Sequence, residues 1–445
     1  KPLEHRQVGE KPVQIGGKFG HIDPHAWEPD RRCLLNGIRA VYNKHSDKTI
    51  KGDSPLCNRE ILMKKTFLAA TTALSLAALS HLWVSPAAAE LKVGMITTLS
   101  GGGASLGIDV RDGFQLALKM AGDQQIDLLI EDDARKPENA VKIADKFISS
   151  DKVDVLTGII WSNLAMAVVP KAVRGGTFYI SPNAGPSALA GKGCNENYFN
   201  AAWQNDNLHE AMGNYANDAG YTKSFILAPN YPAGKDALTG YKRFYKSELT
   251  GEVYTKLGQT DYAAEIAQIK NSGADSVFFF LPGGMGIAFM KQYAQAEVGI
   301  PVLGPAFSFD QGILAAIGDA ALGVKNSSQW SKDLPNAANK AFVAAFQEEY
   351  GRLPSLYASQ GYDTANLILS AAAKADVSDK VAFREALRAA DFQSVRGAFR
   401  FGPNQHPIQN IYVREVVKEG DILTNRIVST GLEDHQDAYA ADCKM

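Results

Sequence analysis

Short apolar stretches alternate with stretches of helical period along most of the chain. The helical period is clearest where four apolar residues share one face, namely Val110, Phe114, Ala117 and Ala121. Pro137 stands where the first turn of a helix tolerates proline, so the next helix is predicted to begin there. The apolar stretches are short enough to be buried strands: LKVGMITTL, QIDLLIEDD, VDVLTGII and TFYISP, then KSFILAP, GEVYTKLG, ADSVFFFL and IPVLGPAF. This alternation predicts an α/β protein with parallel sheets covered by helices, and its restart at KSFILAP predicts a second lobe of the same kind.

Three more helices are predicted after the second lobe, at 337–350, 359–375 and 379–390. They are too many to belong to the second lobe alone. The length of 445 residues is also typical of more than one domain.

An export signal is predicted at 63–89 rather than at the start of the chain. Met63 is followed by two lysines, an apolar stretch broken by serine and threonine, and the small-residue site Ala87–Ala89. We expect cleavage here rather than membrane anchoring, so that a periplasmic protein begins at Glu90. The segment 1–62 has no sustained apolar period, and we interpret it as a mis-annotated upstream region or, alternatively, a disordered extension.

Charge and cysteine content narrow the function further. The net charge of −2 and the absence of a basic run argue against nucleic acid as a partner. Of the four cysteines, Cys33 and Cys57 precede the export signal, which leaves Cys194 and Cys443 in the exported chain. An even pair in an oxidising compartment predicts a disulfide, with two unpaired buried thiols as the alternative.

Motifs of catalysis are missing from the sequence. SGGGASLG follows a strand and precedes a helix, but Leu106 replaces the third glycine of a dinucleotide-binding loop. No nucleophile elbow or Walker A loop occurs, and His209, His406 and His435 are too far apart in sequence to suggest a metal site. We therefore predict no enzyme, no cofactor and no metal.

Several stretches together resemble one family of binding proteins: VGMITTLSGGGASLGIDVRDGFQLAL, LLIEDDARKPENAV, LTGIIWSNLAMAVVP, YISPNAGPS and SQGYDTANLIL. Their order is similar to that of the periplasmic substrate-binding proteins of branched-chain amino-acid type ABC importers. The resemblance implies a type I periplasmic binding fold, with two Rossmann-like lobes joined by a three-crossing hinge. It also implies a small-molecule ligand and an ABC permease in the inner membrane as partners, and we expect a monomer.

The resemblance implies lobe boundaries as well. Lobe one is expected at 91–204 plus 333–400, lobe two at 205–332 plus 401–430, and a C-terminal tail at 431–445.

Ligands of open parallel sheets usually bind beyond the carboxyl ends of the strands. Three groups of residues occupy such positions in lobe one. They are Ser100 with Gly101, then Trp161, Ser162 and Asn163, and then Asn183, Ala184 and Gly185. The glycine loop precedes a helix, whose free N–H groups favour an anion, although the glycines are also needed to turn the chain.

The resemblance assigns roles to individual positions. The serine that binds a ligand carboxylate matches Ser162, and backbone and hydroxyl contacts match Asn183 and Gly185, where glycine replaces the family's threonine. The family's tyrosine loop matches PNYPAGKD and places Tyr231 at the cleft. Its acidic residue, which pairs with an α-ammonium group, is replaced by Ala306.

The missing acid changes the expected ligand. A buried ammonium group without a carboxylate partner is costly, so a ligand with a carboxylate and no ammonium is predicted. Trp161, Tyr231, Phe307 and Phe309 enrich the site in rings, and the turn Pro282–Gly283–Gly284 is expected to close over the ligand. We predict a small aromatic carboxylate of the benzoate or phenylpropenoate type.

Alternatives remain at this point. Trp161 and Phe307 are also compatible with hinge or core packing, and Asp310 is a substitute anchor for an amino acid. Amides, short aliphatic acids and urea-like ligands are further options. A ligand sensor or a regulatory receptor domain is the alternative to a transport protein.

Overall fold

The computed structural model describes residues 91–122 and 126–445. The predicted upstream segment 1–62 and export signal 63–89 lie outside the described residues. A five-stranded sheet in the order β2-β1-β3-β4-β5 forms the first lobe, and all its neighbouring strands are parallel. Its strands are β1 Leu91–Thr97, β2 Ile126–Asp132, β3 Val155–Thr157, β4 Phe178–Ser181 and β5 Tyr198–Asn200.

The helices of this part lie between the strands as the apolar pattern predicts. They are α1 Ala104–Ala121, α2 Pro137–Lys146, α3 Ser162–Arg174 and the short α4 Ser187–Ala190. The predicted face of α1 is buried at Val110, Phe114 and Ala117, whereas Ala121 is exposed at the last turn. Helix α2 begins at Pro137, as predicted.

The second sheet has eight strands in the order β11-β12-β10-β9-β8-β6-β7, with β13 paired to β12. Its parallel strands are β6 Lys223–Pro229, β7 Glu248–Thr255, β8 Ser276–Phe279, β9 Val302–Pro305 and β10 Lys325–Ser328. The accompanying helices are α5 Asn207–Asp218, α6 Pro232–Phe244, α7 Ala263–Asn271, α8 Gly284–Gln295 and α9 Gln311–Ile317. Strands β5 and β10 were not predicted, because both are short and the sequence KNSS of β10 has no apolar period.

The three additional helices share one apolar core with α1 and the strands of the first sheet. They are α10 Ala337–Tyr350, α11 Leu356–Ala372 and α12 Lys380–Ala389. Phe383 of α12 lies with its ring centroid 5.2 Å from that of Phe178 in β4. Helix α11 begins three residues earlier than predicted, because the Ser355 side chain accepts a hydrogen bond from the N–H of Ala358 and caps it.

A long antiparallel hairpin at the C-terminal end of the chain was also missed. It extends the second sheet through β11 Arg400–Phe401, β12 Pro407–Glu419 and β13 Ile422–His435. The predicted tail boundary at 431 therefore falls inside β13. The end of the chain is tied to the first lobe by the predicted Cys194–Cys443 disulfide, which the structure confirms.

The chain passes between the two sheets three times, which confirms the two-lobed fold. The passages lie between β5 and β6, between β10 and α10, and between α12 and β11. The lobe boundaries given above remain a prediction. Among the described residues, no helix is both long and apolar enough to cross a membrane.

Candidate functional site

A cavity lies where the two lobes meet, and most of its wall is aromatic or aliphatic. The empty space at this place, counted together with solvent that is open to the outside, is about 360 Å³. The residues that line it are Leu106, Ile160, Trp161, Ser162, Asn183, Trp203, Asn205, His209, Tyr231, Ala233, Phe280, Pro282, Phe307 and Tyr357. Asp, Glu, Lys and Arg are absent from these described lining residues, so the cavity offers no full charge.

Trp161 is held in place by the first lobe. It immediately precedes α3, and its indole Nε1 donates a hydrogen bond of 3.0 Å to Oγ1 of Thr98. Thr98 in turn donates to Oδ1 of Asp133 at 2.6 Å. The guanidinium carbon of Arg135 lies 5.2 Å from the centroid of the Trp161 ring. The hydrogen bond and the Arg135 contact together fix the plane of the indole.

Ser162 begins α3 and is the main donor on the first-lobe side. Its Oγ accepts a hydrogen bond of 3.1 Å from Nδ2 of Asn205, so its own hydroxyl proton remains available for a ligand. The N–H groups of Ser162 and Asn163 belong to the first turn of a helix and have no intrahelical acceptor. A hydroxyl proton and the positive end of a helix thus meet at one place, which favours an anion.

Asn183 and Asn205 are held by polar contacts around this point. Nδ2 of Asn183 donates to the carbonyl oxygen of Ile160 at 2.6 Å, while its Oδ1 has no hydrogen-bond partner among the described residues. Oδ1 of Asn205 accepts from the N–H of Gly185 at 3.0 Å. Asn205 therefore uses both ends of its amide group to fix the Ser162 hydroxyl and the loop after β4.

The second lobe contributes a set of rings. The Trp161 and Tyr231 ring centroids are 6.4 Å apart across the boundary between the lobes. The Tyr231 and Phe280 rings are nearly parallel, at 6.3 Å and 12°. Phe307 continues the wall, 5.6 Å from Phe280 and 4.7 Å from Trp203. Such a wall provides large apolar contact and defined geometry for another ring.

His209 is a buried histidine among these rings. Its imidazole is 1% exposed and lies 5.1 Å from Phe280 and 5.7 Å from Phe278, both edge-on. Burial lowers its pKa to about 3, so the ring is neutral at any physiological pH. Its Nδ1 has no hydrogen-bond partner in the described part of the chain. In the sequence His209 is an isolated histidine, and the residues around it give no indication of a ligand-binding site.

Six of the predicted site residues line the cavity: Trp161, Ser162, Asn183, Tyr231, Pro282 and Phe307. The remaining ones do not, and they are Ser100, Gly101, Asn163, Ala184, Gly185, Gly283 and Gly284. Gly185 lies behind the wall, where an added Cβ would stand 2.2 Å from the carbonyl oxygen of Trp203. The close approach of this backbone leaves no room for the family's threonine.

The two glycine loops meet at the rim of the cavity. Gly283 has a φ of 62°, which favours glycine, and a Cβ added to it would stand 3.3 Å from the carbonyl oxygen of Gly102. The loop before α1 and the loop before α8 therefore touch across the lobes, and the structure is in a closed form.

Asp310 and Phe309 lie away from the cavity. Asp310 caps α9, accepting from the N–H of Gly312 at 3.2 Å, and it also accepts from the N–H of Leu356 at 2.9 Å. Phe309 packs against Phe279, with ring centroids 5.4 Å apart. Asp310 does not line the cavity, so it does not supply the missing carboxylate there.

Comparisons with known proteins agree with this architecture. A periplasmic binding protein family model matches residues 90–421. The Leu/Ile/Val-binding protein homolog 6 of Brucella melitensis is 28% identical over 81% of this chain and 94% of its own length.

Solved structures are similar to this chain over most of its length. An ABC transporter solute-binding protein from R. palustris, in complex with benzoate, is 32% identical with a TM-score of 0.76, covering 80% of this chain and 99% of that one. A second, from Rhodopseudomonas palustris BisB5 in complex with 3,4-dihydroxy benzoic acid, is 31% identical with a TM-score of 0.71, covering 78% and 98%.

These relatives are substrate-binding proteins and not enzymes, which confirms that part of the sequence interpretation. The matching family is periplasmic. The similarity of this chain to an ABC transporter component favours a transport protein over a ligand sensor. The chain belongs to the periplasmic binding protein family, as an ABC solute-binding protein of the Leu/Ile/Val-binding type.

Proposed function

We propose that this protein captures a small aromatic carboxylate of the benzoate or phenylpropenoate type between its lobes and delivers it to an ABC permease. The observation that carries the proposal is the composition of the cavity wall, which is rich in rings and has no acidic side chain among its described residues. An α-ammonium group enclosed there would lose its hydration without gaining a carboxylate partner.

The ligand carboxylate is expected to bind at the start of α3. The Ser162 hydroxyl and the first N–H groups of the helix are donors suited to a dehydrated anion. The Arg135 guanidinium, 5.2 Å from the centroid of the Trp161 ring, adds positive potential near this end of the cavity. The carboxylate therefore needs no lysine or arginine in the cavity itself.

The ring of the ligand is expected to lie between Trp161 on one lobe and Tyr231, Phe280 and Phe307 on the other. A ligand that contacts both lobes stabilises the closed form, because it loses half of its contacts when the lobes separate. The benzoate and 3,4-dihydroxy benzoic acid complexes of the two similar solved structures support a ligand of this kind.

An amino acid is the second candidate. The curated relatives are named for leucine, isoleucine and valine binding, and the unpartnered Oδ1 of Asn183 is an acceptor for an ammonium group. One amide oxygen replaces only part of the hydration that a buried ammonium group loses. Asp236, which accepts a hydrogen bond from the lining residue Asn205, already accepts two more, from the N–H and the hydroxyl of Ser187.

Isothermal titration calorimetry of the purified protein distinguishes the candidates. We expect benzoate, 4-hydroxybenzoate or a phenylpropenoate to bind, and benzaldehyde and benzyl alcohol to bind far more weakly because they lack the carboxylate. Leucine is the comparison ligand. Tight leucine binding without any response to the aromatic acids would refute the proposed ligand class.

A further inference from the structure

The imidazole of His209 is a polar group that the protein itself leaves without a complete set of hydrogen bonds. It lines the cavity, is 1% exposed, and its Nδ1 has no partner among the described residues. Phe280 and Phe307 lie at 5.1 Å and 6.1 Å from its ring centroid. Buried polar groups are usually hydrogen-bonded, so an unpartnered one that lines a ligand cavity indicates a group supplied by the ligand.

The chemistry of that group follows from the neutral imidazole. A neutral imidazole has one N–H donor and one bare nitrogen acceptor. Burial keeps the pKa of His209 at about 3, so no positive charge attracts a second carboxylate. A hydroxyl group, which both donates and accepts, is the simplest complement to such a ring in an apolar surrounding.

The position of His209 relative to Ser162 also fits a substituted ring. Asn205 bonds the Ser162 hydroxyl at 3.1 Å, and His209 follows Asn205 by four residues at the start of α5. The imidazole is instead surrounded by the rings of Phe278, Phe280 and Phe307, so the two polar groups occupy different parts of the cavity wall. A ligand with a carboxylate at one end and a polar substituent at the other end complements two such separate groups.

We propose that His209 is a specificity-determining residue that hydrogen-bonds a hydroxyl group on the ring of the ligand, opposite the carboxylate. The preferred ligand is then a 4-hydroxybenzoate-type acid, with Ser162 at the carboxylate end and His209 at the hydroxyl end. This inference rests on the proposed function, since it assumes an aromatic acid in the cavity.

A series of three ligands tests the inference on the unaltered protein. 4-Methylbenzoate matches 4-hydroxybenzoate in size but has no hydrogen-bonding group on the ring, and benzoate has no substituent. We expect calorimetry to give a dissociation constant for 4-hydroxybenzoate roughly tenfold lower than for 4-methylbenzoate. Because the imidazole stays neutral, the ratio should be the same at pH 5.5 and at pH 8.

Two variants assign the preference to the imidazole. His209→Phe keeps a ring of similar volume and removes both nitrogens, so the two substituted acids should bind equally well while benzoate affinity changes little. His209→Asn places an amide group near the position of Nδ1 and should keep much of the preference. If His209→Phe does not fold, ¹⁵N shifts of the His209 ring in the wild-type complexes with the two acids provide the same comparison.

The outcomes separate the two proposals. Equal affinity of the wild type for 4-hydroxybenzoate and 4-methylbenzoate overturns the role of His209 and leaves the proposed function intact. If His209→Phe still prefers 4-hydroxybenzoate over 4-methylbenzoate as strongly as the wild type does, the role of His209 is likewise overturned and the proposed function stays intact. Absence of binding by all three acids overturns the proposed function together with the inference.

Discussion

The hydroxyl group of Ser187 donates a hydrogen bond of 2.6 Å to Oδ1 of Asp236, and the Ser187 N–H donates to Oδ2 of the same carboxylate at 3.0 Å. Ser187 begins α4 in the first lobe, and Asp236 lies on α6 in the second, so both bonds cross the cleft. Oδ2 of Asp236 also accepts from Asn205, which holds the Ser162 hydroxyl. Lobe closure and the proposed carboxylate site are therefore connected by shared hydrogen bonds.

Asp236→Asn should weaken ligand binding because an amide nitrogen would face donors of Ser187 or Asn205. We expect a loss of about 1–2 kcal/mol, mainly through faster ligand dissociation from a less stable closed form. Stopped-flow fluorescence and calorimetry measure both quantities. Ser187→Ala removes one of the bonds and should give a smaller loss.

The matched control for this prediction is Glu252→Gln, which neutralises an exposed acid of the second lobe that pairs with Lys242. Its dissociation rate should equal that of the wild type. Identical rates for Asp236→Asn and Glu252→Gln would show that the Asp236 contacts do not control closure.

Ser162→Ala should reduce the affinity for an aromatic acid by about 1–3 kcal/mol, because one charge-assisted hydrogen bond to the carboxylate is lost. The free energy of unfolding without ligand should change little, since only the bond from Asn205 is affected. Ser370→Ala, on α11 away from the cavity, is the control and should bind as the wild type does. Unchanged affinity in Ser162→Ala would place the carboxylate elsewhere.

The parts of the site that the sequence predicted are those that follow directly from strand ends. Trp161 and Ser162 come directly after the β3 stretch, and apolar periodicity is enough to locate them. Trp203 reaches the cavity from an interlobe passage, and His209 and Tyr357 reach it from the helices α5 and α11. Their positions depend on how the chain crosses between the lobes, which no local pattern records.

The same distinction applies to the fold. The strands with continuous apolar residues were predicted, whereas the β12–β13 hairpin was missed although IYVREVV alternates in polarity. Gly420, with a φ of 59°, turns the chain between the two strands. The polar residues within β12 and β13 set these strands apart from the continuous apolar stretches of the parallel strands.

Removing the disulfide through Cys194→Ser and Cys443→Ser together should lower the free energy of unfolding by about 2–5 kcal/mol. The bond closes a loop with a sequence separation of 249 residues, so its loss releases much chain entropy in the unfolded state. Urea denaturation measures the change. A reductant should shift the wild type toward the variant and leave the variant unaffected, and equal stability of all samples would contradict the prediction.

Periplasmic protein is expected to begin with Glu-Leu-Lys-Val, because cleavage after Ala89 leaves Glu90 first. The family match begins at the same residue, 90. N-terminal sequencing of material purified from the periplasm measures this directly. A mature protein that starts within 1–62 would contradict both the cleavage site and the interpretation of the upstream segment.

Asp310 should make the folded protein less stable as the pH rises. Burial, and then the nearby charge of Asp109 from the first lobe, raise its pKa to about 7, against 3.8 for an ordinary aspartate. Between those values the folded protein holds a proton that the unfolded chain has released. Its contribution to stability is therefore full below about pH 4 and is lost as the pH rises to about 7.

Asp310→Asn removes this titration because an amide does not ionise. The amide oxygen can still accept a hydrogen bond from the N–H of Leu356. We expect the wild type to lose more stability than Asp310→Asn between pH 5 and pH 8, by a difference on the order of 1–3 kcal/mol. Denaturant unfolding at both pH values measures it. Asp421→Asn, in the exposed turn of the β12–β13 hairpin, is the control and should follow the wild type. Parallel curves for Asp310→Asn and the wild type would show that the titration of Asp310 does not differ between the folded and the unfolded protein in this range.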